Sequence, residues 1–585
     1  MSTGSDVSGD LTVTIGQYSS AGRKATNQDF NGILVPVQPA LGLKGIAVAL
    51  ADGISSSAVG AAASETAVKS FLSDYYATPD TWSVKTSAQR VIAAANSWLY
   101  AQTRRGADPN DADRGYVTTF DALVLKSRMA HLFHVGDARI WRVSGRSLEQ
   151  LTEDHRVVVS AAESYLGRAL GANARVEIDY HVVGIEAGDT FVLTTDGVHE
   201  HVRPRDVVAA IAQAATLNAA AQAIVEAALA AGSQDNLTIQ IVRVESVPAG
   251  APADLLGEAE GLDPAPLLDP PAELDGFRLV RILHSGPRSR VYLAVEAETG
   301  AQAALKVLSL DLRDDPAQRK RFVMEEWIAR RIDNPHVLKA HPRAGRRSHL
   351  YTVMRYVEGQ TLTQWMRDQA TPDLETVRGL VEQLARGVQA FHRREMVHQD
   401  LRPDNVLIDT AGTVQIIDFG ATTVAGVVEG DPRIDPAEIL GTVQYTAPEC
   451  FLGAPANAGS DIFAVGVITY RMLTGRLPYG DAVPRARTRA AQRRLRYTSA
   501  LTVRPLLPVW VDGALRKAVH PDPLRRYTAL SAFVHDLRHP NPAFTDGRRA
   551  SLLERDPLLF WRLLSLVLGL VALTLAAILI AGPRR

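Results

Sequence analysis

A stretch without basic residues divides the sequence near its middle. Between Arg243 and Arg278 there is no Lys or Arg, and the segment VPAGAPADLLGEAEGLDPAPLLDPPAELDG is rich in Pro, Ala, Gly and acidic residues. A segment of this composition cannot bury enough apolar surface to fold, and its negative charges repel one another. Residues 245–275 are therefore predicted to be an extended linker, and the 585 residues, too many for one core, form separate domains on either side.

The bulk composition is that of a folded protein and excludes several classes. The net charge is −1, so nothing in the overall charge indicates nucleic-acid binding. The only cysteine, Cys450, excludes a disulfide framework, fits a reducing compartment and is predicted to be a packing residue. The first residues, MSTGSDVSGDLTV, lack the basic and apolar runs that are typical of a secretory signal.

An apolar run lies near the end of the sequence. The run LLSLVLGLVALTLAAILIAG, from Leu563 to Gly582, has 20 residues and no charge. At 1.5 Å per residue a helix of this length crosses a hydrocarbon core of about 30 Å, and the alternative is a buried core helix. We predict a single C-terminal transmembrane helix at 563–582, after a juxtamembrane segment at 539–562. Arginines flank it on both sides, four before it and two after: Arg548, Arg549, Arg555 and Arg562, then Arg584 and Arg585. This bias places the N-terminal part in the cytoplasm.

The N-terminal block, residues 1–244, alternates short apolar runs with Asp-Gly and Gly-Asp turns. Runs such as IAVALADG, DALVLKS and TFVLTTDG are rich in Val, Leu and Thr and predict β-strands. Ala-rich stretches between the runs, at Ala61–Tyr76 and Arg205–Ala231, predict helices. Strands clustered around two helical groups predict a sandwich of sheets flanked by helices.

The second block, residues 276–538, changes character along its length. It opens with predicted strands at Phe277–Glu296 and Ala301–Leu308. From Arg319 onward it is mostly helical, for example at Asp373–Arg393 and Ser460–Thr474. This order predicts a bilobal α+β domain with a small β-rich lobe and a larger α-rich lobe.

Residues suited to phosphoryl transfer occur in order along the second block. Such a reaction needs phosphates held, a metal bound and the attacking hydroxyl positioned. The run AALKVL places Lys306 on a strand, and the next helix carries Glu325, which can pair with it. The run HQDLRPDN supplies Asp400 as a candidate base and Asn405 as a metal ligand. Asp418 ends the run VQIID, where a carboxylate can hold Mg²⁺.

These runs, followed by TAPE and HPDPLRRY, resemble the eukaryotic-like Ser/Thr protein kinases over roughly Phe277–Leu537. The resemblance implies ATP and Mg²⁺ as cofactors. It implies an ion pair between Glu449 and Arg526, and it implies that Asp461 anchors the catalytic loop. It also implies roles at the reaction centre for these residues: Asp400, Lys306, Glu325 and Arg402 in catalysis, and Gly286, Val291, Lys306, Asn405 and Asp418 in binding nucleotide and metal.

Three departures from this kinase pattern concern phosphate contacts. The loop ILHSGPRSRVYLA keeps only Gly286 of three glycines, with His284 and Ser289 in the other places, which predicts weaker ATP binding. Gln399 replaces an arginine that pairs with a phosphate on the activation loop. Arg402 replaces a lysine and keeps its charge. Because the remaining residues are present, we predict a variant kinase that is active.

Acidic residues in the first block each border an apolar strand. Taken singly, an Asp-Gly after a strand indicates a tight turn. Several carboxylates converging at buried strand ends, however, need cations to offset their repulsion. Oxygen ligands suit Mg²⁺ or Mn²⁺, and two such ions can activate hydroxide toward a phosphate ester. The four residues are Asp52, Asp137, Asp196 and Asp235.

With GRKATNQDF and LTEDHRV, these stretches resemble the metal-dependent protein phosphatases of type 2C over about Val13–Val244. The resemblance implies an α/β/β/α sandwich, a β-sandwich between helical layers. It implies two or three bound Mn²⁺ or Mg²⁺ ions. Asp52 is implied to bridge two of these ions, the Gly53 carbonyl to bind one, and Asp196 and Asp235 to complete the ligands of the first. Asp29 is implied to hold metal-bound waters, and Asp137 to bind a third ion. Lys24, with Arg23 beside it, stands for an arginine that binds substrate phosphate, and Gln28 replaces a Glu.

The sequence thus predicts a bifunctional signalling enzyme of bacterial type that phosphorylates Ser/Thr of proteins and hydrolyses phosphoserine and phosphothreonine. Expected partners are protein substrates and phosphoproteins, including the chain itself, and a membrane, with no nucleic acid. Both catalytic domains are predicted in the cytoplasm, anchored at a bacterial inner membrane. The alternative is a regulatory scaffold in which one or both domains bind nucleotide or phosphoprotein with little or no turnover. The depleted glycine loop and the altered residues Gln399, Gln28 and Lys24 favour this alternative.

Overall fold

The structure is a computed structural model that describes residues 10–105, 114–160, 163–248, 262–342, 347–429, 443–545 and 557–581. In the N-terminal domain, two five-stranded antiparallel sheets are ordered β1-β12-β11-β6-β7 and β10-β5-β4-β3-β2, and β8 and β9 form a separate ribbon. The strands are β1 Thr12–Ser20, β2 Asp29–Leu34, β3 Ile46–Asp52, β4 Phe120–Lys126, β5 Met129–Val135, β6 Arg139–Ser144, β7 Ser147–Gln150, β8 Arg156–Ser160, β9 Glu163–Leu166, β10 Asp179–Gly184, β11 Thr190–Thr194 and β12 Leu237–Ser246.

The two sheets pack face to face because their strands alternate side chains between two apolar layers. On β3, Val48 and Leu50 enter the cluster between the sheets, with Leu123 and Leu193 from β4 and β11. The intervening Ala49 belongs to a second cluster, which the helices cover. A period of two residues therefore gives each face of β3 its own core.

Helices cover the outer face of each sheet, which confirms the predicted α/β/β/α sandwich. The helices α2 and α3 lie on the sheet that contains β3, and α5 and α6 lie on the other. The helices are α1 Ala40–Lys44, α2 Gly60–Ala77, α3 Val84–Arg105, α4 Asp196–His199, α5 Pro204–Gln213 and α6 Leu217–Ala230. The helical stretch predicted over Arg205–Ala231 is confirmed and consists of two helices, because the chain turns after α5 and Thr216 caps α6 by accepting from the Ala219 amide at 3.1 Å.

The C-terminal domain has a small lobe built on a five-stranded sheet and a larger helical lobe, as predicted. The sheet has the order β13-β14-β15-β16-β17 and is followed by short ribbons in the large lobe. Its strands are β13 Ala272–Leu274, β14 Phe277–Ser285, β15 Ser289–Glu296, β16 Gln302–Leu308 and β17 Thr352–Arg355, and the ribbons are β18 Gly359–Thr361, β19 Met396–Val397, β20 Val406–Asp409, β21 Val414–Ile416 and β22 Thr423–Val424.

One helix belongs to the small lobe and eight pack in the large lobe, counting only the described residues. Cys450 lies in the apolar core of the large lobe. The helices are α7 Pro316–Arg331 in the small lobe, then α8 Leu362–Asp368, α9 Leu374–His392, α10 Ala425–Val428, α11 Ala458–Thr474, α12 Arg489–Arg493, α13 Val509–Ala518, α14 Leu530–Arg538 and α15 Pro542–Thr545.

The linker predicted at residues 245–275 is wrong at both ends, since β12 continues to Ser246 and residues 262–275 pack on the small lobe. Ala265 and Leu274 are buried in the apolar cluster of the small lobe. The Ala265 amide donates to the Leu350 carbonyl at 3.1 Å, and β13 pairs with β14. These few apolar residues are enough to attach 262–275 to a preformed sheet edge, although the overall composition is that of a linker. Residues 249–261 lie outside the described residues.

The last helix, α16, covers Pro557–Ala581, and its side chains are described only for residues 560–574. Within the described ranges, no helix combines the length and the apolar character that crossing a membrane requires. Gly582, the end of the predicted span, and residues 546–556 of the predicted juxtamembrane segment lie outside the described residues.

Candidate active sites

The cleft between the lobes of the C-terminal domain brings four predicted residues together. Lys306 on β16 donates from Nζ to Glu325 Oε2 on α7 at 2.7 Å and lies 3.6 Å from Asp418 Oδ1. Asp400 lines the same cleft. Burial lowers the pKa of the Lys306 ammonium, but the nearby carboxylates of Asp418 and Glu325 outweigh burial and raise it. Burial raises the pKa of Glu325 to about 7. The cleft therefore presents a charged ammonium to an anionic ligand.

The loop that carries Asp400 is held by hydrogen bonds to its backbone. Asp461 accepts from the amides of His398 and Gln399 at 2.9 and 3.0 Å, and Gln399 has a left-handed φ of 66°. Asn405 Nδ2 donates to the Asp400 carbonyl at 2.9 Å and to Asp400 Oδ2 at 3.2 Å. A non-glycine residue keeps a left-handed φ only where neighbouring groups hold its backbone. Asp461 holds the backbone of Gln399 in this way, and the resulting loop conformation directs Asp400 into the cleft.

Asp418 lies on the opposite side of this cleft and is also fixed by the backbone. The Gly420 amide donates to Asp418 Oδ1 at 3.1 Å. Burial raises the pKa of Asp418, but the neighbouring Lys306 ammonium outweighs burial, so the pKa lies below its usual range. An ionised carboxylate at this place, with Asn405 nearby on the loop, is a suitable ligand for Mg²⁺.

The remaining predicted kinase residues lie close, in the sequence or in strand register, to residues that line the cleft. Val291 on β15 stands opposite Lys306 in the strand register. At Gly286 a Cβ atom would lie 2.8 Å from His284 Nε2, so the imidazole occupies the space beside the glycine. Arg402 is half-buried, with Nε 3.6 Å from Asp404 Oδ2. Away from the cleft, buried Arg526 donates to both carboxylate oxygens of Glu449 at 2.7 and 2.6 Å, the predicted ion pair.

In the N-terminal domain, four segments bring carboxylates to one end of the sandwich. Asp29 at the start of β2 and Asp52 at the end of β3 are opposite each other in the strand register. Asp196 begins α4, and Asp235 precedes β12. A Cβ at Gly197 would lie 2.1 Å from the Asn236 carbonyl oxygen, so only glycine allows these last two segments to approach so closely.

The carboxylates of this cluster are buried close together and disfavour one another's negative charge. Burial and then the carboxylates of Asp29, Asp196 and Asp235 raise the pKa of Asp52 well above its usual range. Burial, followed by Asp137 and Asp235, raises the pKa of Asp196 to about 7. Asp29 Oδ1 and Asp196 Oδ1 are buried and accept no hydrogen bond from the described parts of the chain. Unpaired buried carboxylate oxygens are costly, and a cation would satisfy them.

Two basic side chains contact the cluster directly. Arg156 donates to Asp137 Oδ2 at 2.7 Å and to Asp196 Oδ2 at 3.1 Å, and Lys24 Nζ bonds to Asp235 and Ser55. With the side chains so placed, no group of three or more His, Cys, Asp or Glu residues in the described ranges could hold a metal ion. Metal binding at Asp196 and Asp235 therefore requires that these two cations turn away.

Two further residues predicted for this site, Gly53 and Arg23, lie in different surroundings. A Cβ at Gly53 would lie 2.2 Å from the Gly60 carbonyl oxygen, so the position admits only glycine. Arg23, next to Lys24 in the sequence, is exposed. The geometry thus leaves the backbone of Gly53 beside Asp52 and Arg23 open to solvent.

Comparison with known proteins assigns both domains. Residues 277–537 match the family described as protein kinase domain, and residues 17–232 match the family described as protein phosphatase 2C. The chain contains a protein kinase domain and a protein phosphatase 2C domain.

Similar proteins are found for each domain. The serine/threonine-protein kinase PrkC of Bacillus subtilis is 28% identical over 263 residues, which are 45% of this chain and 40% of that protein. The solved PknI kinase domain of Mycobacterium tuberculosis is 26% identical over 46% of this chain and 99% of its own, with a TM-score of 0.37. The solved serine/threonine phosphatase of S. agalactiae is 25% identical over 40% of this chain and 100% of its own, with a TM-score of 0.36. The chain spans less than half the length of the first curated relatives it matches.

Three polar residues of the phosphatase domain were not assigned a role from the sequence. Arg156 ends the run LTEDHR and bridges two of the carboxylates. Asn236 Oδ1 accepts from the Gln28 amide at 2.9 Å, and Gln28 Nε2 donates to the Ser57 carbonyl at 2.7 Å. Only an amide can make the second bond, which explains Gln in place of Glu. The only signal for Asn236 in the sequence was that it directly follows Asp235, a predicted metal ligand.

Alanine at Thr422 or Thr423 is expected to leave most of the kinase activity. Gln399 Nε2 donates to Thr423 Oγ1 at 2.8 Å, a neutral contact whose loss costs about 1 kcal/mol. No arginine stands at position 399 to receive a loop phosphate. The kinase rate should be measured on protein first stripped of phosphate by its own phosphatase domain. A protein that stays inert until Thr422 or Thr423 is phosphorylated again would contradict this expectation. Thr442, a third threonine of the same segment, lies outside the described residues.

Proposed function

We propose that this chain is a bifunctional signalling enzyme of bacterial type. Its kinase domain transfers phosphate from ATP to Ser and Thr of proteins, and its phosphatase domain hydrolyses phosphoserine and phosphothreonine. The observation that carries the kinase half is the contact of Lys306 with Glu325 and Asp418 in the cleft that Asp400 lines. The orphaned oxygens of Asp29 and Asp196 carry the phosphatase half.

In the kinase domain, each charged residue of the cleft has one task. Lys306 binds the phosphates of ATP, and Asp400 orients the hydroxyl of the substrate and accepts its proton. Arg402 offsets the charge of the transferred phosphoryl group. Asn405 and Asp418 would hold Mg²⁺, which supplies neutralisation of the phosphate charge when bound. The adenosine moiety and phosphates pack against Val291 and Gly286.

In the phosphatase domain, Asp52, the Gly53 carbonyl, Asp196 and Asp235 would hold two Mn²⁺ or Mg²⁺ ions. Two further carboxylates complete the site: Asp29 for metal-bound water and Asp137 for a third ion. Bound ions of this kind supply a hydroxide nucleophile at neutral pH. Lys24 leaves Asp235 when that carboxylate binds metal, and together with Arg23 it then binds the phosphate of the substrate.

Two opposing activities on one chain act on the same local substrates. Tethering makes the encounter of each domain with a shared phosphoprotein effectively intramolecular. The substrates we propose are proteins and phosphoproteins, including this chain. The ratio of the two activities then determines the level of phosphorylation near the enzyme.

Labelling with radioactive ATP and Mg²⁺ tests this proposal. The Asp196→Ala variant prevents self-dephosphorylation from hiding the label, so it should become labelled, and more strongly than the unaltered chain. The Asp196→Ala/Asp400→Ala double variant is the matched control and should stay unlabelled. Absence of label in both would reject the kinase half and favour a scaffold that binds nucleotide or phosphoprotein without turnover.

We further propose that the chain is attached to the cytoplasmic face of a bacterial inner membrane. The proposal rests on the uncharged run of 20 residues from Leu563 to Gly582 and on the arginines that precede it. Attachment would confine both activities to membrane-proximal substrates.

Deletion of Leu558–Arg585 is expected to release the protein into the soluble fraction with both activities preserved, because neither set of catalytic residues reaches that segment. Fractionation of cell lysates and assays of both activities check this. Replacing three leucines of the run, Leu566, Leu568 and Leu570, with arginine should have the same effect as the deletion. A truncated protein that still sediments with membranes would show another attachment site.

A further inference from the structure

The phosphatase domain contacts the kinase domain at the segment that follows Asp418. We define the activation segment as residues 418–429, the described residues from Asp418 up to the next gap. The Gly426 amide in α10 donates to the Thr81 carbonyl, in the loop between α2 and α3, at 3.1 Å. In the same loop Trp82 Nε1 donates to the Arg393 carbonyl at 3.0 Å, and the Ser83 amide donates to Glu395 Oε2 at 2.7 Å.

A buried ion pair lies at the centre of this contact. Lys126, at the end of β4, is 1% exposed, and its Nζ donates to the Gly426 carbonyl at 2.5 Å and to Glu429 Oε1 at 3.0 Å. Glu429 also accepts from the Val84 amide at 2.8 Å. Both hydrogen-bond partners of the Lys126 ammonium thus belong to the kinase domain. A buried lysine without partners is strongly disfavoured, so docking of the domains and the pairing of Lys126 depend on each other.

The charges on the two surfaces are complementary, and they reach the helix that carries Glu325. Lys126 of the phosphatase domain meets Glu429 of the kinase domain, whereas Asp80 of the phosphatase domain lies 3.4 Å from Arg331, the last residue of α7. Leu43 of α1 joins the apolar cluster of the large lobe. The contact therefore touches both elements whose placement forms the Lys306–Glu325 pair and the Asp418 site: α7 and the activation segment.

We propose that the phosphatase domain is the intramolecular partner that holds the kinase activation segment and α7 in their catalytic arrangement. The side-chain amide of Gln399 makes a neutral hydrogen bond to Thr423, and docking of the phosphatase domain supplies the anchoring of the segment. The phosphatase centre stays open, because Asp52 is at the other end of β3 from the contact, roughly 20 Å away at 3.3 Å per residue. The inference goes beyond the proposed function, since it concerns how one domain acts on the other.

Gly426→Ala separates docking from folding of the kinase domain. A Cβ at Gly426 would lie 2.6 Å from the Trp82 carbonyl oxygen and 3.1 Å from those of Asp80 and Thr81, all in the phosphatase backbone. The backbone of Gly426 itself is not left-handed, so alanine strains nothing within the kinase domain. Gly379→Ala is the matched control, because a Cβ there meets nothing within 4 Å.

Lys126→Glu tests the same contact from the other domain. It places a carboxylate against Glu429 and the Gly426 carbonyl and leaves the kinase sequence unchanged. Lys69→Glu, at a side chain that is 64% exposed, is the control for the change of charge. The Lys126→Glu/Glu429→Lys double variant reverses the pair and is expected to recover part of the lost activity.

The kinase rate on a peptide is measured in full-length protein with Asp196→Ala, and the phosphatase rate on a small phosphate ester with Asp196 present. We expect Gly426→Ala and Lys126→Glu to lower the kinase rate at least about fivefold, the lower range of coupling between sites. The phosphatase rate and both controls should be unchanged. An unchanged or raised kinase rate, or an equal fall in the phosphatase rate, would overturn the proposal.

Hydrogen exchange decides the inference independently of turnover. Docking protects the amides of Ser83, Val84 and Gly426, and it restrains α7 through Asp80. Both variants should lose protection at these amides and along α7, whereas the controls should keep it. If the unaltered chain has no kinase activity, the proposed function fails, but loss of α7 protection would still support the docking role. Retained protection in both variants would overturn it.

Discussion

Replacement of Asp400 or Asp418 by alanine should remove kinase activity, by about 10²–10⁴-fold for the loss of a general base alone. Asp400 is held by Asn405 and directed into the cleft, where it can orient a hydroxyl and accept its proton. Asp418 contacts Lys306, and in the proposed reaction its ionised carboxylate would hold the metal on the phosphates. The initial rate of peptide phosphorylation at saturating ATP and Mg²⁺ is the measurement.

The control for these variants is Asp481→Ala, because Asp481 is exposed and distant in sequence from the cleft residues. It should retain the full rate. If Asp400→Ala retained more than a tenth of the activity, another group would have to position the hydroxyl. If Asp418→Ala did so, the metal would have to bind elsewhere. Phosphatase activity on a small phosphate ester should be unchanged in both, which separates local effects from unfolding.

Asp196→Ala and Asp235→Ala should each abolish hydrolysis of a small phosphate ester while leaving kinase labelling intact. Outer-shell residues of metal sites typically contribute 10–100-fold, so loss of a ligand should cost more than about 100-fold. Asp196 has an orphaned buried oxygen, and the raised pKa of its carboxyl reflects burial and the neighbouring carboxylates. Hydrolysis is measured over a range of Mn²⁺ concentrations, and addition of a chelator to the unaltered chain should abolish it.

Asp74→Ala provides a matched loss of a carboxylate on the same domain, since Asp74 is exposed on α2. It should leave hydrolysis unchanged. Mn²⁺-dependent hydrolysis that persists in Asp196→Ala or Asp235→Ala would show that the metal ligands have been wrongly assigned. Arg156→Ala gives a further comparison, because removal of this guanidinium should make Asp196 more available to metal without removing a ligand.

The candidate residues of both sites were found in the sequence as short runs that resemble known families, and some of these runs also carry a local physical signal. Their roles stay predictions. Lys306 lies in an apolar strand, and Asp52 and Asp196 follow or end apolar runs that had to be buried. Alternation along β3 likewise predicts which side chains face each layer, since it follows from the geometry of a strand. These features depend on neighbours within a few residues.

Element boundaries were less predictable where composition and packing disagree. An Ala-rich run from Arg205 to Ala231 is compatible with one helix, and its division into α5 and α6 follows from the need of both helices to lie on the same sheet. Similarly, residues 262–275 have the composition of a linker, yet Ala265 and Leu274 add to the small lobe because its sheet offers an apolar edge.

The two domains, their order and the candidate residues of each site follow from the sequence and its resemblance to known families. Three contacts are visible only in the folded protein: Lys126 pairs with Glu429, Gly426 lies against the loop that contains Trp82, and Arg156 bridges Asp137 and Asp196. Lys126 and Glu429 are 303 residues apart, and neither differs in its local pattern from a solvated surface charge. Their pairing depends on the shapes of two separately folded surfaces, which no local periodicity encodes, because burial of a charge is a property of the assembled fold.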